Sequence, residues 1–164
     1  MSGVASFCLG LVLAWATAVV SAENSRILSK FLPGTSTVVV VAEGDFEPRS
    51  VGSYSVRIYA GANRGFPYDD FIAGTVRPRD GAVDNVLFAD FDRDGSPEIV
   101  VLIRSAGTGG YISADVFRLQ GSTLSLVESV SGLAKDADPI RSLEAKFAGR
   151  AEPGAAPDAE KSRR

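Results

Sequence analysis

Short β-branched runs, each closed by turn residues, recur from Thr37 to Val130, and they constrain the chain to antiparallel strands. Thr37 to Ala42 reads Thr-Val-Val-Val-Val-Ala between turn residues and predicts a strand. Ser53 to Tyr59 alternates, with Tyr54, Val56 and Ile58 on one face and Ser53, Ser55 and Arg57 on the other, the pattern of a half-buried antiparallel strand. Phe71 to Val76 predicts another, stopped by Arg77-Pro78-Arg79-Asp80-Gly81, where Asp-Gly marks a turn. Val83 to Ala89 and Glu98 to Ile103 are apolar enough to be central strands. Tyr111 to Leu119 follows, and Leu124, Leu126, Val127 and Val130 mark a last strand after the Gly121-Ser122 turn. Asn24 to Leu32 fits either a short strand or one helical turn.

Seven or eight strands at this spacing predict an all-β antiparallel sandwich or barrel. One short C-terminal helix is expected, with Asp138 as N-cap, Pro139 at the first helical position, and Ile140, Leu143 and Phe147 on one face.

The chain has 164 residues, enough for one domain with a proper core. Its ends read differently from its middle. Phe7 to Val20 is an apolar block followed by Val20-Ser21-Ala22, small residues of the kind a signal peptidase accepts, so residues 1–22 read as a signal peptide cut before Glu23. The block is shorter than the ~20 residues that span a bilayer, which disfavours a retained membrane anchor. Residues 23–149 form the expected β domain, and 150–164 lack apolar periodicity and are expected to be a disordered tail.

Composition then removes whole classes of chemistry. The single cysteine, Cys8, lies in the signal segment, so the exported domain has no disulfide and relies on core burial. With no histidine anywhere, the commonest metal ligand and the commonest general base are both missing. A net charge of −3 offers no basic field to nucleic acid. No enzymatic constellation emerges. The acidic residues cluster in one turn rather than across a cleft, which argues against glycoside hydrolysis.

The candidate functional element is the loop Arg104-Ser105-Ala106-Gly107-Thr108-Gly109-Gly110-Tyr111 between two strands. Three glycines in four positions incur more entropy than a plain hairpin turn requires, so the loop is built for a shape. It carries a guanidinium, two hydroxyls, a phenol and bare backbone N–H groups, suited to gripping a polar target in a cleft.

A second motif is Asp90-Phe91-Asp92-Arg93-Asp94-Gly95-Ser96-Pro97-Glu98. Alternating carboxylates before a glycine resemble a calcium loop, although the twelfth position of an EF-hand falls on Val101. Asp90, Asp92, Asp94 and Glu98 are thus the candidate ligands for calcium in a strand-loop-strand site. The simpler account, preferred here, is a turn in which Asp side chains cap backbone N–H groups, with no cofactor required. Arg57, Arg77 and Arg79 with Asp69, Asp70 and Asp80 read as solvated strand faces carrying weak exposed pairs. Phe66, Tyr68 and Tyr111 would suit a small carbohydrate-binding module, a third possibility beside a calcium-stabilised β module.

Longer stretches decide among these. Val-Ala-Glu-Gly-Asp-Phe-Glu-Pro-Arg-Ser (41–50), Gly-Ser-Tyr-Ser-Val-Arg-Ile-Tyr (52–59), Asp-Asp-Phe-Ile-Ala-Gly (69–74), Val-Arg-Pro-Arg-Asp-Gly (76–81) and the loop with its flanks (103–111) resemble the periplasmic inhibitors of invertebrate-type lysozymes of Gram-negative bacteria. The resemblance covers roughly Thr37 to Phe147. It implies an exported, non-enzymatic homodimer in the periplasm whose projecting loop enters the lysozyme active-site cleft and protects the peptidoglycan against host defence. The lysozyme-binding residues would be Arg104, Ser105, Gly107, Thr108, Gly109, Gly110 and Tyr111. Neither nucleic acid nor, after signal cleavage, membrane is an expected partner.

Overall fold

The computed structural model describes residues 26–150, so the expected signal peptide and nearly all of the expected tail lie outside the described residues. Eight strands and one helix follow in order: β1 Ile27–Phe31, β2 Val38–Glu43, β3 Val51–Tyr59, β4 Phe71–Asp80, β5 Ala82–Ala89, β6 Glu98–Arg104, β7 Ile112–Gln120, β8 Thr123–Leu133 and α1 Pro139–Arg150. They form two four-stranded antiparallel meanders, β1-β2-β3-β4 and β5-β6-β7-β8. The all-β expectation holds as a sandwich, and the ambiguous N-terminal segment is a strand paired with β2.

The core follows from period-two alternation in the strands. Val39 and Val41 of β2, Tyr54, Val56 and Ile58 of β3, and Val83 and Val86 of β5 meet Ile99, Val101 and Ile103 of β6 and Phe117 of β7 in one buried cluster. Val100 and Leu102 of β6 and Ile112, Ala114 and Val116 of β7 point the other way, onto Leu143 of α1. Both faces of β6 are therefore covered, which is why its sequence is continuously apolar rather than alternating. The helix starts as its sequence requires: Asp138 Oδ1 accepts the Ile140 and Arg141 N–H groups at 3.0 and 3.3 Å. It is anchored further by Phe147, stacked on Phe91 at 4.8 Å between centroids.

Two polar pillars join the layers, the second through Glu43, whose Oε1 accepts the Val83 N–H of β5 at 2.8 Å. The buried Tyr54 hydroxyl donates to Asp115, which also accepts from Ser129 and lies 3.5 Å from Arg77 Nε. Burial first, and the Asp115 carboxylate second, push the Tyr54 phenol far above its ordinary pKa, so it remains a donor.

The second pillar corrects the sequence reading. β4 does not stop at Val76 but continues through Pro78 to Asp80. Proline is tolerated there because β4 is an edge strand, paired on one side to β3 and needing no ladder donor on the other. The extension carries Arg79 inward, where its side chain is fully buried instead of lying on a solvated face. Its guanidinium donates to the carbonyls of Ser53, Arg49, Gly81 and Pro48 and lies 3.7 Å from both Glu43 and Glu47.

Strand order also sorts the connections. The single residue Gly81 joins β4 to β5, so the β2–β3 loop (44–50), the Gly81 turn and the β6–β7 loop (105–111) all emerge at one end of the sandwich. The β3–β4 loop (60–70) and the Asp-rich β5–β6 loop (90–97) emerge at the other.

Candidate functional site

The loop 104–111 is a compact projection whose shape is set from within. At its base Ser105 N–H donates to the Tyr111 carbonyl at 2.8 Å, and at its tip Gly110 N–H donates to the Gly107 carbonyl at 3.0 Å. Ser105 Oγ accepts the Gly107 N–H at 3.2 Å. The Arg104 guanidinium forms a bidentate pair with Asp84 on β5, Nη2 to Oδ2 at 2.8 Å and Nε to Oδ1 at 3.2 Å, and its Nη1 reaches the Gly110 carbonyl at 3.4 Å. Asp84 holds this guanidinium charged, with a raised pKa, by hydrogen bonding first and charge second. Arg104 thus braces the loop against β5, and Asp84 is a partner that the sequence reading missed because strand register alone brings the two together.

The three glycines have separate duties. Gly110 has φ +55°, the left-handed region that a β-carbon penalises. Gly109 does not, yet a β-carbon there would lie 2.4 Å from the Tyr111 ring. Gly107 has room for one, 3.5 Å from Ser105 Oγ. The result is an exposed Tyr111 ring, 54% accessible, beside exposed Thr108 and half-buried Ser105.

The other candidate constellations are separated from this loop. Phe66 and Tyr68 lie in the 60–70 loop at the opposite end from Tyr111, so the three aromatic residues do not share a sugar platform. Tyr68 instead packs edge-on to Tyr59 at 5.7 Å and its hydroxyl meets Ser29 Oγ. In the Asp-rich loop, oxygens of Asp90, Asp92 and Glu98 come within 4.8 Å of one another. Each is already engaged. Asp90 accepts the Asp94 and Gly95 N–H groups, Asp92 the Asp94 N–H, Asp94 the Ser96 N–H, and Glu98 the Phe91 N–H. The Arg118 guanidinium bridges Asp92 and Glu98 at 2.5 and 2.7 Å.

The sequence model of a family described as periplasmic lysozyme inhibitor of I-type lysozyme matches residues 25–147. The chain belongs to this family. Two solved structures agree with that assignment. The PliI inhibitor of Aeromonas hydrophila is 45% identical, with a TM-score of 0.66 over 71% of this chain and 98% of that one. The same inhibitor in complex with Meretrix lusoria lysozyme gives 45% identity and a TM-score of 0.67 over 72% of this chain and 94% of that one. No curated protein matches the chain. As a member of a family of periplasmic inhibitors, the protein is not an enzyme, and the PliI match spans β1 through most of α1, the whole sandwich rather than the loop alone.

Proposed function

We propose that the protein protects peptidoglycan by inserting the loop 104–111 into the active-site cleft of an invertebrate-type lysozyme. The observation that carries the reading is the brace: an exposed, donor-rich tip held by the Arg104–Asp84 pair and the Gly110 to Gly107 hydrogen bond. A lysozyme cleft presents two carboxyl groups and sugar subsites. The Thr108 hydroxyl and the Thr108 and Gly109 N–H groups are donors toward carboxylates, and charge-assisted bonds of this kind are the strong ones. Tyr111 supplies a ring where a sugar would stack. A loop already fixed in shape loses little entropy on binding, which is what makes inhibitor interfaces of ordinary size tight. The complex of the Aeromonas hydrophila relative with Meretrix lusoria lysozyme supports the choice of target.

Homodimerisation belongs to the same proposal. On the outer face of the first sheet, strand register lines up Ile27, Ala42, Ser55 and Val76 in one row and Phe31, Val38, Tyr59 and Phe71 in another. Ile27, Phe31, Phe71 and Val76 are all more than half exposed, an apolar surface of the sort a second copy would cover. Sedimentation equilibrium of Phe71→Asp, compared with the unmodified protein, tests this: a dimer that persists excludes this face.

The decisive experiment measures inhibition of an invertebrate-type lysozyme by Ser105→Ala and Tyr111→Ala, with circular dichroism confirming the fold. Loss of a central, desolvated contact should cost about 2 kcal/mol, a weakening of roughly thirtyfold. Full inhibition by both folded variants would remove the loop from the mechanism.

A further inference from the structure

Among the described residues, Phe46 and Arg93 are the two non-glycine residues with positive φ, and Phe46 at +64° is also completely exposed, at 104%. A left-handed backbone is unfavourable for a residue with a β-carbon, and an exposed phenyl ring returns no burial to offset it. Strain of this kind persists where the surroundings over-determine it, and it gathers at functional sites.

The surroundings here do over-determine it. Arg26 Nη1 donates to the carbonyls of Gly44 and Glu47, at 3.1 and 3.0 Å, on either side of Phe46. The Glu47 carboxylate accepts the Ser53 N–H and hydroxyl. Gly44 and Gly52 leave the room for that carboxylate, since β-carbons there would lie 2.5 and 2.2 Å from it. Buried Arg79 then fixes the carbonyls of Pro48 and Arg49. The loop is held at both ends and offers its ring at the crown.

That crown emerges at the same end of the sandwich as Tyr111. Gly81 is the hinge between the two loops: its N–H donates to the Ser50 carbonyl at 2.8 Å, and a β-carbon on it would lie 2.1 Å from the Arg104 carbonyl. Between the projections lies a cleft lined by Arg49, Ser50, Asp84, Arg104 and Ser105.

We propose that Phe46 is a second anchor for lysozyme, docking its ring into an apolar depression on the rim of the target's active-site cleft while loop 104–111 fills the cleft. This rests on the assignment of that loop as the plug. Rigid exposed aromatic rings are the side chains that most often carry interface energy, and their loss acts mainly on dissociation. The ring adds contact outside the catalytic centre, so it contributes affinity and discriminates against any target that lacks the depression.

The test uses the mature protein and surface plasmon resonance against an invertebrate-type lysozyme, with thermal unfolding in parallel. Asn tolerates the left-handed region, so Phe46→Asn removes the ring while keeping the backbone. It should weaken binding at least tenfold, mostly through faster dissociation, with a melting temperature equal to or above that of the parent. Phe46→Trp should restore most of the affinity. Unchanged binding by Phe46→Asn alongside lost binding by Tyr111→Ala would overturn the Phe46 proposal and leave the plug intact. The reverse pattern, lost binding by Phe46→Asn with Tyr111→Ala and Ser105→Ala neutral, would keep the Phe46 contact and sink the plug. A loss that Phe46→Trp fails to restore at all would also count against a ring-docking role.

Discussion

The Tyr111 ring lies against the open face of Gly109, so close that a β-carbon on Gly109 would sit 2.4 Å from the ring's Cε2. Gly110, not Gly109, holds the left-handed turn. Substitutions at the three glycines should therefore act by different routes. Gly109→Ala should displace the tyrosine and weaken inhibition markedly, Gly110→Ala should strain the tip by about 1–2 kcal/mol, and Gly107→Ala should be nearly silent. Inhibition constants for the three variants check this, and equal effects at 107 and 109 would contradict it. The melting temperature should barely move for Gly107→Ala, because the tip contributes nothing to either apolar cluster, whereas the backbone strain of Gly110→Ala should lower it by a few degrees.

Arg79 is the buried charge at the end of the sandwich that carries the loop 104–111. Replacing it with Met leaves Glu43, whose side chain is fully buried, with only the partly exposed Arg49 at 3.6 Å as a cation, and takes a donor from the carbonyls of Ser53, Arg49, Gly81 and Pro48. Removing one partner of such a pair typically costs about 3–5 kcal/mol, a large part of the roughly 5–15 kcal/mol that holds a domain folded. Urea unfolding of Arg79→Met should show that loss, and Glu43→Gln added to it should recover a portion. A change below about 1 kcal/mol, the usual range of an exposed pair, would return Arg79 to the solvated surface that its sequence context suggests.

That contrast shows where the sequence was readable. Strands with strict alternation or unbroken β-branched runs announced themselves, because burial of one or both faces writes its period directly into the residues. β4 did not, since Pro78 looks like a terminator until the strand is known to be an edge. The loop 104–111 was legible from its glycine density, but its brace was not. Asp84 lies 20 residues away, and nothing local marks it as the partner of Arg104. Phe46 carried no signal either, because positive φ at a phenylalanine is imposed by Arg26, Glu47 and Arg79 from three separate segments.

The Asp-rich loop at the far end makes a clean negative prediction. Its carboxylates cap the N–H groups of Phe91, Asp94, Gly95 and Ser96 and embrace the Arg118 guanidinium. Adding EDTA, or excess calcium, should leave the melting temperature unchanged, whereas a native-state calcium site would raise it with ion concentration. Asp92→Asn should likewise leave lysozyme inhibition within a few-fold, since β6 separates that loop from the loop 104–111 by roughly 20 Å. A large EDTA-induced fall reversed by calcium would establish an ion site in place of the guanidinium bridge.

The loop that carries Phe46 should respond to acid through Glu47. Hydrogen bonding from the Ser53 backbone, then from the Ser53 hydroxyl, holds the Glu47 carboxyl below the usual carboxylate range. A group whose folded pKa is lowered adds stability above its unfolded pKa and loses it as pH falls through the folded one. The contribution is therefore complete at neutral pH and disappears only in acid, below about pH 4. Glu47→Gln should be less stable than the parent at pH 7, and the gap should narrow as the pH falls through the lowered Glu47 pKa. Thermal unfolding of both proteins across that range measures it, with amide hydrogen exchange at Ser53 reporting the loop itself. A gap that stays constant across the titration would mean that Glu47 holds the loop by shape alone, without its charge.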